Sequence, residues 1–308
     1  MSTTYRRRDI LQLLGFGGVV FASGLVAGCA ANGAAMTAPR APGPPVPPAR
    51  DFFFLQLSDT HWGFKGPPNP ESELTLKQTV AAINAVETQP DFIVFTGDLT
   101  HTTDDPKERR ARMAEFKEIV SELKVKTLRF LPGEHDASPD GGEAYIEAFG
   151  PTHYSFDHQG VHFVAVDNVS EASGVIGDAQ LAWLEKDLAA VASDAPIVVL
   201  THRPLFDLYP QWEWATRDGA RALEILAKRP NVTVFYGHIH QEHHQMTGAI
   251  AHHSARSLIF PLPAPGSVPK KAPLPWDPTS SDHGLGYRVV EARRESFEIR
   301  EVPFGMRG

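Results

Sequence analysis

From Asp51 onward, short apolar runs of strand length alternate with longer stretches in which apolar residues recur every three or four positions. The first pattern predicts strands at 52–57, 92–96, 127–131, 161–166, 196–200 and 232–236. The second predicts helices at 73–87, 106–124, 178–191 and 218–228, with Asp178 and Asp218 as candidate caps. Late in the chain, 257–260, 286–292 and 296–302 read as further strands. Strands alternating with amphipathic helices define an α/β domain over 51–308, without an internal repeat. Residues 261–284 break the rhythm: they are rich in proline and have no periodicity, as in a long surface loop that is either a lid or a plain excursion.

Ahead of this domain the chain changes character twice. Residues 29–50 are mostly Ala, Pro and Gly after Cys29, a composition that favours extended polyproline II and reads as a tether. Residues 1–28 have the outline of an export signal: a basic start, an apolar middle and small residues before Cys29. The run Arg6-Arg7-Arg8-Asp9-Ile10-Leu11 resembles a twin-arginine signal, and Val26-Ala27-Gly28-Cys29 resembles a lipobox. Together they imply a chain that passes folded through the twin-arginine export machinery and is tethered to the membrane by a lipidated Cys29, on the periplasmic or cell-envelope side. An uncleaved anchor, or cleavage at a nearby alanine without lipid, are the alternatives.

Composition narrows the function classes. At 42% hydrophobic and 21% charged, the chain can bury a real core. Without residues 1–28 it carries 26 basic against 36 acidic side chains, so bulk charge argues against nucleic acid binding. Any phosphate it handles must be met locally. With Cys29 as the only cysteine, no intramolecular disulfide can form.

The chemistry lies just past the strand ends. Ser58-Asp59-Thr60-His61 comes after the first strand, Gly97-Asp98-Leu99-Thr100-His101 after the second and Gly133-Glu134-His135-Asp136 after the third. Thr201-His202-Arg203-Pro204 and Gly237-His238-Ile239-His240 come after two later ones. In open α/β sheets ligands bind outside the carboxyl ends of strands, so these five segments can converge on one site. Singly, an Asp-x-His or a His-x-His is weak. The ordered set resembles the signature of the calcineurin-like metallophosphoesterases, over essentially 51–302.

That resemblance implies a fold of two mixed β-sheets packed as a sandwich flanked by helices. It implies two metal ions, one held by Asp59, His61, Asp98 and His240, the other by Asp98, Glu134, His202 and His238, with Asp98 bridging. Such a pair grips one phosphoryl group, and a hydroxide shared by the two cations attacks phosphorus in line with the leaving group. His135 is the expected substrate contact and proton donor, oriented by Asp136 unless that residue only shapes the turn. His101 is expected to contact substrate rather than metal.

At Glu134 the chain departs from the family's usual Asn. A third carboxylate biases the site toward manganese or iron, with zinc as an option, and disfavours a dianionic monoester relative to a diester. Gly97-Asp98-Leu99-Thr100 looks like the branch containing cyclic-nucleotide and glycerophosphodiester phosphodiesterases; purple acid phosphatases place a Tyr ligand where 99–101 read Leu, Thr and His. The alternatives are a phosphomonoesterase or nucleotidase, a pyrophosphatase, a phospholipid-directed enzyme, or a non-catalytic envelope lipoprotein that binds a phosphorylated ligand or a protein partner.

The adjacent pairs His243/His244 and His252/His253 point to opposite faces if they lie on strands, and so read as surface or substrate-loop residues. Phe206, Trp212 and Trp214 line a pocket or pack a core. Specificity is assigned to loops 62–72, 203–217 and 261–284.

Overall fold

The structure, a computed structural model, describes residues 51–305 except 172, 281, 294 and 295. The export signal, Cys29 and the tether lie outside the described residues. Among the described residues no helix is long and apolar enough to cross a membrane.

Among the described residues eleven strands form two mixed sheets. In the first, β1 (Phe52–Leu57), β2 (Phe92–Thr96) and β3 (Leu128–Leu131) run parallel, and β10 (Gly286–Arg293) and β11 (Ser296–Pro303) extend it antiparallel from β1. In the second, β5 (Val161–Ala165), β6 (Ile197–Leu200), β7 (Val232–Tyr236) and β9 (Ile250–Ser254) run parallel. Antiparallel edges close it, β4 (Tyr154–His158) on β5 and β8 (His243–Thr247) on β9.

The alternation of side chains along each strand separates the layers. On β1, Leu55 and Leu57 face outward onto α1 (Ser72–Ala85) and α2 (Pro106–Ser121), meeting Leu76, Val80, Met113 and Phe116. Phe52 and Phe54 face inward, where they meet Phe163, Val198 and Phe235 of the second sheet. The outer face of that sheet carries α5 (Asp178–Ala189) and α6 (Gly219–Leu226). Two short helices, α3 (Glu134–Ala137) and α4 (Glu143–Phe149), come after β3 and lead into β4 of the second sheet.

Helix starts have local causes. Asp105 caps α2, its carboxylate accepting from the N–H of Lys107 at 2.8 Å, with Pro106 in the first turn. Asp218 stands at the N-cap of α6 as expected but makes no side-chain cap bond, and the N-cap of α5 is Gly177 rather than Asp178. Asp178 lies inside α5 and pairs with Arg221, while Asp218 accepts from the N–H groups of Ile176 and Gly177, tying the start of α6 to the entry of α5.

The expected strand at 257–260 is irregular. Leu258, Ile259 and Phe260 are buried, but their backbone serves the neighbouring loops: Leu258 N–H donates to Ser58, and the carbonyls of Ile259 and Phe260 accept from Asn69 and His240. Backbone groups engaged in this way are not available to a ladder. Three strands, β4, β8 and β9, and the short helices α3 and α4 have no periodic run to mark them in the sequence. The described residues of loop 261–284 are irregular as expected and pack on loop 203–217, with Lys271 donating to the Trp212 carbonyl.

Candidate metal centre

All five polar segments leave the carboxyl ends of parallel strands, three from the first sheet and two from the second, so they meet at one edge of the sandwich. Past the end of the β1–β2 ladder the loops continue to pair, with Asp59 N–H to the Gly97 carbonyl at 3.1 Å and His61 N–H to that of Asp98 at 2.9 Å. The backbone around the site is unusual. Asp59, His61, Asp98, His238 and His240 all have positive φ, between 42° and 68°, and they make up most of the non-glycine residues so strained among those described. Strain of this kind persists only where surroundings overdetermine it, commonly at functional sites.

Close approach also dictates glycine. A Cβ on Gly97, at φ 94°, would overlap the His202 ring, and one on Gly133 would overlap the Asp98 carboxylate.

The seven expected ligands form two groups, and His61, His101 and His135 come together as a third. Asp59, His61, Asp98 and His240 bring their ligating atoms within 4.8 Å of one another, as do Asp98, Glu134, His202 and His238. Asp98 belongs to both: its Oδ2 lies 3.4 Å from His61 Nε2 and 3.4 Å from His202 Nε2, while its Oδ1 accepts from the His135 N–H. Glu134 reaches the second group with both oxygens, each 2.9 Å from a nitrogen, of His202 and of His238.

Acceptors outside the groups set the histidine tautomers. His202 Nδ1 donates to the Thr96 carbonyl and His240 Nδ1 to that of Phe260, both at 2.7 Å, and His238 Nε2 to that of Glu213 at 3.1 Å. Each ring therefore turns its unprotonated nitrogen inward. His202 Nε2, His238 Nδ1 and Glu134 Oε2 are buried without a hydrogen bond in spite of the 2.9 Å contacts. Acceptors converging with no donor between them fit a cation, and a set of imidazoles and carboxylates suits zinc, manganese or iron.

Electrostatics agree at Glu134 and His61 and pull the other way at His202. Burial opposes ionisation of Glu134, but His238 and His202 outweigh it and hold the carboxyl well below its usual range. Burial, then the neighbouring His135 and His240, keep His61 well below the histidine range, so its lone pair stays free. Burial would depress His202 too, but Asp98 and Glu134 outweigh it and draw a proton; a cation and a proton compete for that lone pair.

His135 and His101 separate in role. His135 lines a cavity of about 730 Å3 beside the second group, and its Nδ1 accepts from the Thr102 N–H, which leaves the proton on Nε2. His101 does not line that cavity. Its Nδ1 lies 3.3 Å from His61 Nδ1, and its ring stacks on His135. Asp136 does not orient His135. Fully buried, its carboxylate accepts from the N–H groups of Leu99, Thr100 and Gly133 and from the Thr100 hydroxyl, locking two site loops together.

The other histidines lie apart. The Tyr236 hydroxyl at the end of β7 pairs with His243, and His244 pairs with His253 across the β8–β9 hairpin. His252 and His253 are buried rather than on the surface. Trp212 and Trp214 pack into a core with Tyr236 and Ile259 and do not line the cavity. Two residues not singled out in the sequence matter here, Asn168 and Arg203. Asn168 is fully buried and brackets the Arg203 backbone, donating to its carbonyl at 2.8 Å and accepting from its N–H at 3.2 Å. Its signal was present: Asp167-Asn168 lie just past β5 as a sixth polar segment at a strand end.

The chain belongs to the calcineurin-like phosphoesterase family, whose model matches residues 54–242. It is therefore a metallophosphoesterase, a hydrolase of phosphoric esters, with a dimetal-type site. Over 240 residues it is 27% identical to a probable cyclic nucleotide phosphodiesterase of Rhodopseudomonas palustris, covering 70% of this chain and 83% of that one. Over 217 residues it is 29% identical to the serine/threonine-protein phosphatase CPPED1 of Danio rerio, covering 62% and 70%. In fold it is similar to a dimetal phosphatase from Danio rerio, with a TM-score of 0.57 at 13% identity over 84% of this chain and 99% of that one.

Proposed function

We propose that this chain is a di-metal phosphodiesterase, and the observation that carries the reading is that Asp98 belongs to both ligand groups. Asp59, His61, Asp98 and His240 would hold one ion, and Asp98, Glu134, His202 and His238 the other. Bound cations supply Lewis-acid polarisation of phosphoryl oxygens and an acidified water, with manganese or iron favoured and zinc an option for this oxygen-rich set. His135 keeps a proton on Nε2 toward the cavity, where it can be given to the departing alkoxide. His101 backs His61 and stacks on His135, holding both rings in place for substrate.

Three things favour a diester. Three carboxylates at the site repel a dianion more than a monoanion, and a 730 Å3 cavity on the Glu134 side has room for both arms of a diester. The relative from Rhodopseudomonas palustris is named for cyclic nucleotides. A phosphomonoesterase is the second reading, favoured by Arg203, whose Nε lies 3.6 Å from Glu134 and offsets part of that charge. Kinetics on matched diester and monoester substrates at equal metal loading separate the two. A higher kcat/KM for the monoester refutes the diester reading. The amino-terminal sequence supports action outside the inner membrane, as a lipid-tethered protein.

A further inference from the structure

Arg203 is held by its stem and left free at its head. Besides the Asn168 bracket, its carbonyl accepts from the Thr201 hydroxyl at 2.9 Å, and Pro204 comes directly after it. The guanidinium, by contrast, makes no hydrogen bond among the described residues. Its Nε is buried and unpartnered, and the side chain as a whole is 11% exposed. Its one ion-pair contact among the described residues is the 3.6 Å approach to Glu134 Oε2, too long for a hydrogen bond.

The seat around this head is shaped to keep it in place. Gly174, at φ 68°, passes so close that a Cβ there would lie 2.7 Å from Arg203 Nη1. The Gly174 carbonyl is in turn held by the Arg217 N–H. Arg203, Glu134 and His135 line the same cavity, so the unpaired N–H groups share a space with the proton on His135 Nε2. A guanidinium whose Nε is buried without an acceptor bears a cost unless something supplies one, and its planar fork matches the oxygens of a phosphoryl group.

We propose that Arg203 is the anion-binding residue of this site, resting against Glu134 and donating to the non-bridging oxygens of the phosphoryl group of substrate and product. The assignment rests on the phosphoesterase reading. It gives the third carboxylate a counterpart: Glu134 and Arg203 act as a couple, and Arg203 lets a site with an added negative charge retain a phosphate dianion. Arg203 is thus a specificity-determining residue, since the balance between monoanion and dianion depends on it rather than on Glu134 alone.

The test is calorimetric titration of inorganic phosphate into the metal-loaded protein, alongside metal analysis of each variant. Arg203→Met is expected to keep its metal content and to bind phosphate about tenfold more weakly or worse, the loss expected of one charge-assisted hydrogen bond. The same loss is expected in a Glu134→Asn background, because the contact is with phosphate itself. Phosphate affinity within twofold of the parent in both backgrounds overturns the proposal, as does a loss confined to the Glu134 parent, which reduces Arg203 to a neutraliser of Glu134. Depleted metal in Arg203→Met also overturns it. If that variant does not fold, Arg203→Lys carries the test: it keeps the charge, loses the fork, and is expected to bind phosphate more weakly than the parent. These readouts need no turnover, so failure of the phosphodiesterase reading shows separately in the ester kinetics.

Discussion

His202, after β6, donates from Nδ1 to the carbonyl of Thr96, the last residue of β2, across 2.7 Å. One hydrogen bond thus joins the two sheets and decides which nitrogen of His202 faces Asp98 and Glu134. The contact depends on Gly97, whose absent side chain leaves room for the ring.

Gly97→Ala is therefore expected to strain the backbone and displace His202 together. A non-glycine residue at φ 94° costs about 1–3 kcal/mol before the overlap with the ring is counted. Thermal unfolding should show a lower midpoint, and metal analysis a depleted second ion. An unchanged midpoint with full metal would mean that the loop relaxes freely.

Asp136→Asn tests the buried carboxylate that joins the loops after β2 and β3. Burial and the nearby Asp98 push this carboxyl up to about 6, against the hydrogen bonds that stabilise its anion. An amide keeps one acceptor oxygen and sets a donor against N–H groups, leaving buried donors unsatisfied at roughly 1–3 kcal/mol. Denaturant unfolding should report that loss, while Asp136→Ala should be worse. If instead stability holds and only the pH profile of turnover changes, Asp136 acts on His135 after all.

Acid sensitivity is expected from the β8–β9 hairpin. Burial, then His243, lower His252 to about 4, and burial, then Arg288, lower His253 to about 2. Both imidazoles take up a proton near pH 6.5 in the unfolded chain but resist it in the fold. Stability from this source is constant above pH 6.5 and falls as pH drops toward 4, by up to about 1.4 kcal/mol per pH unit for each ring. Among the described residues neither nitrogen of His252 has a hydrogen-bond partner, and its ring packs edge-on against Phe206. His252→Leu should flatten the acid limb and leave neutral-pH stability equal or higher. A steeper limb would show that the imidazole is satisfied in solution.

Export can be checked without the fold. Replacing Arg7 and Arg8 by Lys should leave the chain in the cytoplasm, and Cys29→Ala should release it from the membrane fraction. Fractionation that finds the parent chain in the cytoplasm contradicts the envelope reading.

Where packing repeats, the sequence is readable. The inward Phe52 and Phe54 and outward Leu55 and Leu57 of β1 announce a strand buried on both faces, and the seven ligand candidates stand out because each comes just after such a run. The β8–β9 hairpin is hidden because histidines fill positions where apolar residues mark strands, even though His252 and His253 are buried. Ser257–Phe260 misleads for the converse reason: it is apolar because it is buried, yet its backbone is engaged with loops. For Asp136, adjacency in sequence suggests contact with the His135 ring, whereas four donors from the two loops claim its oxygens. Arg203 stands in the sequence only as the neighbour of a ligand, since nothing in one dimension shows that its head is unpaired.

At the centre stands one carboxylate serving two ions. Metal analysis by plasma mass spectrometry on the folded parent and on Asp98→Ala addresses it most directly. Two ions per chain are expected in the parent and at most one in the variant, with hydrolysis lost. A parent that saturates with a single ion, or an Asp98→Ala protein that still holds two, contradicts the account.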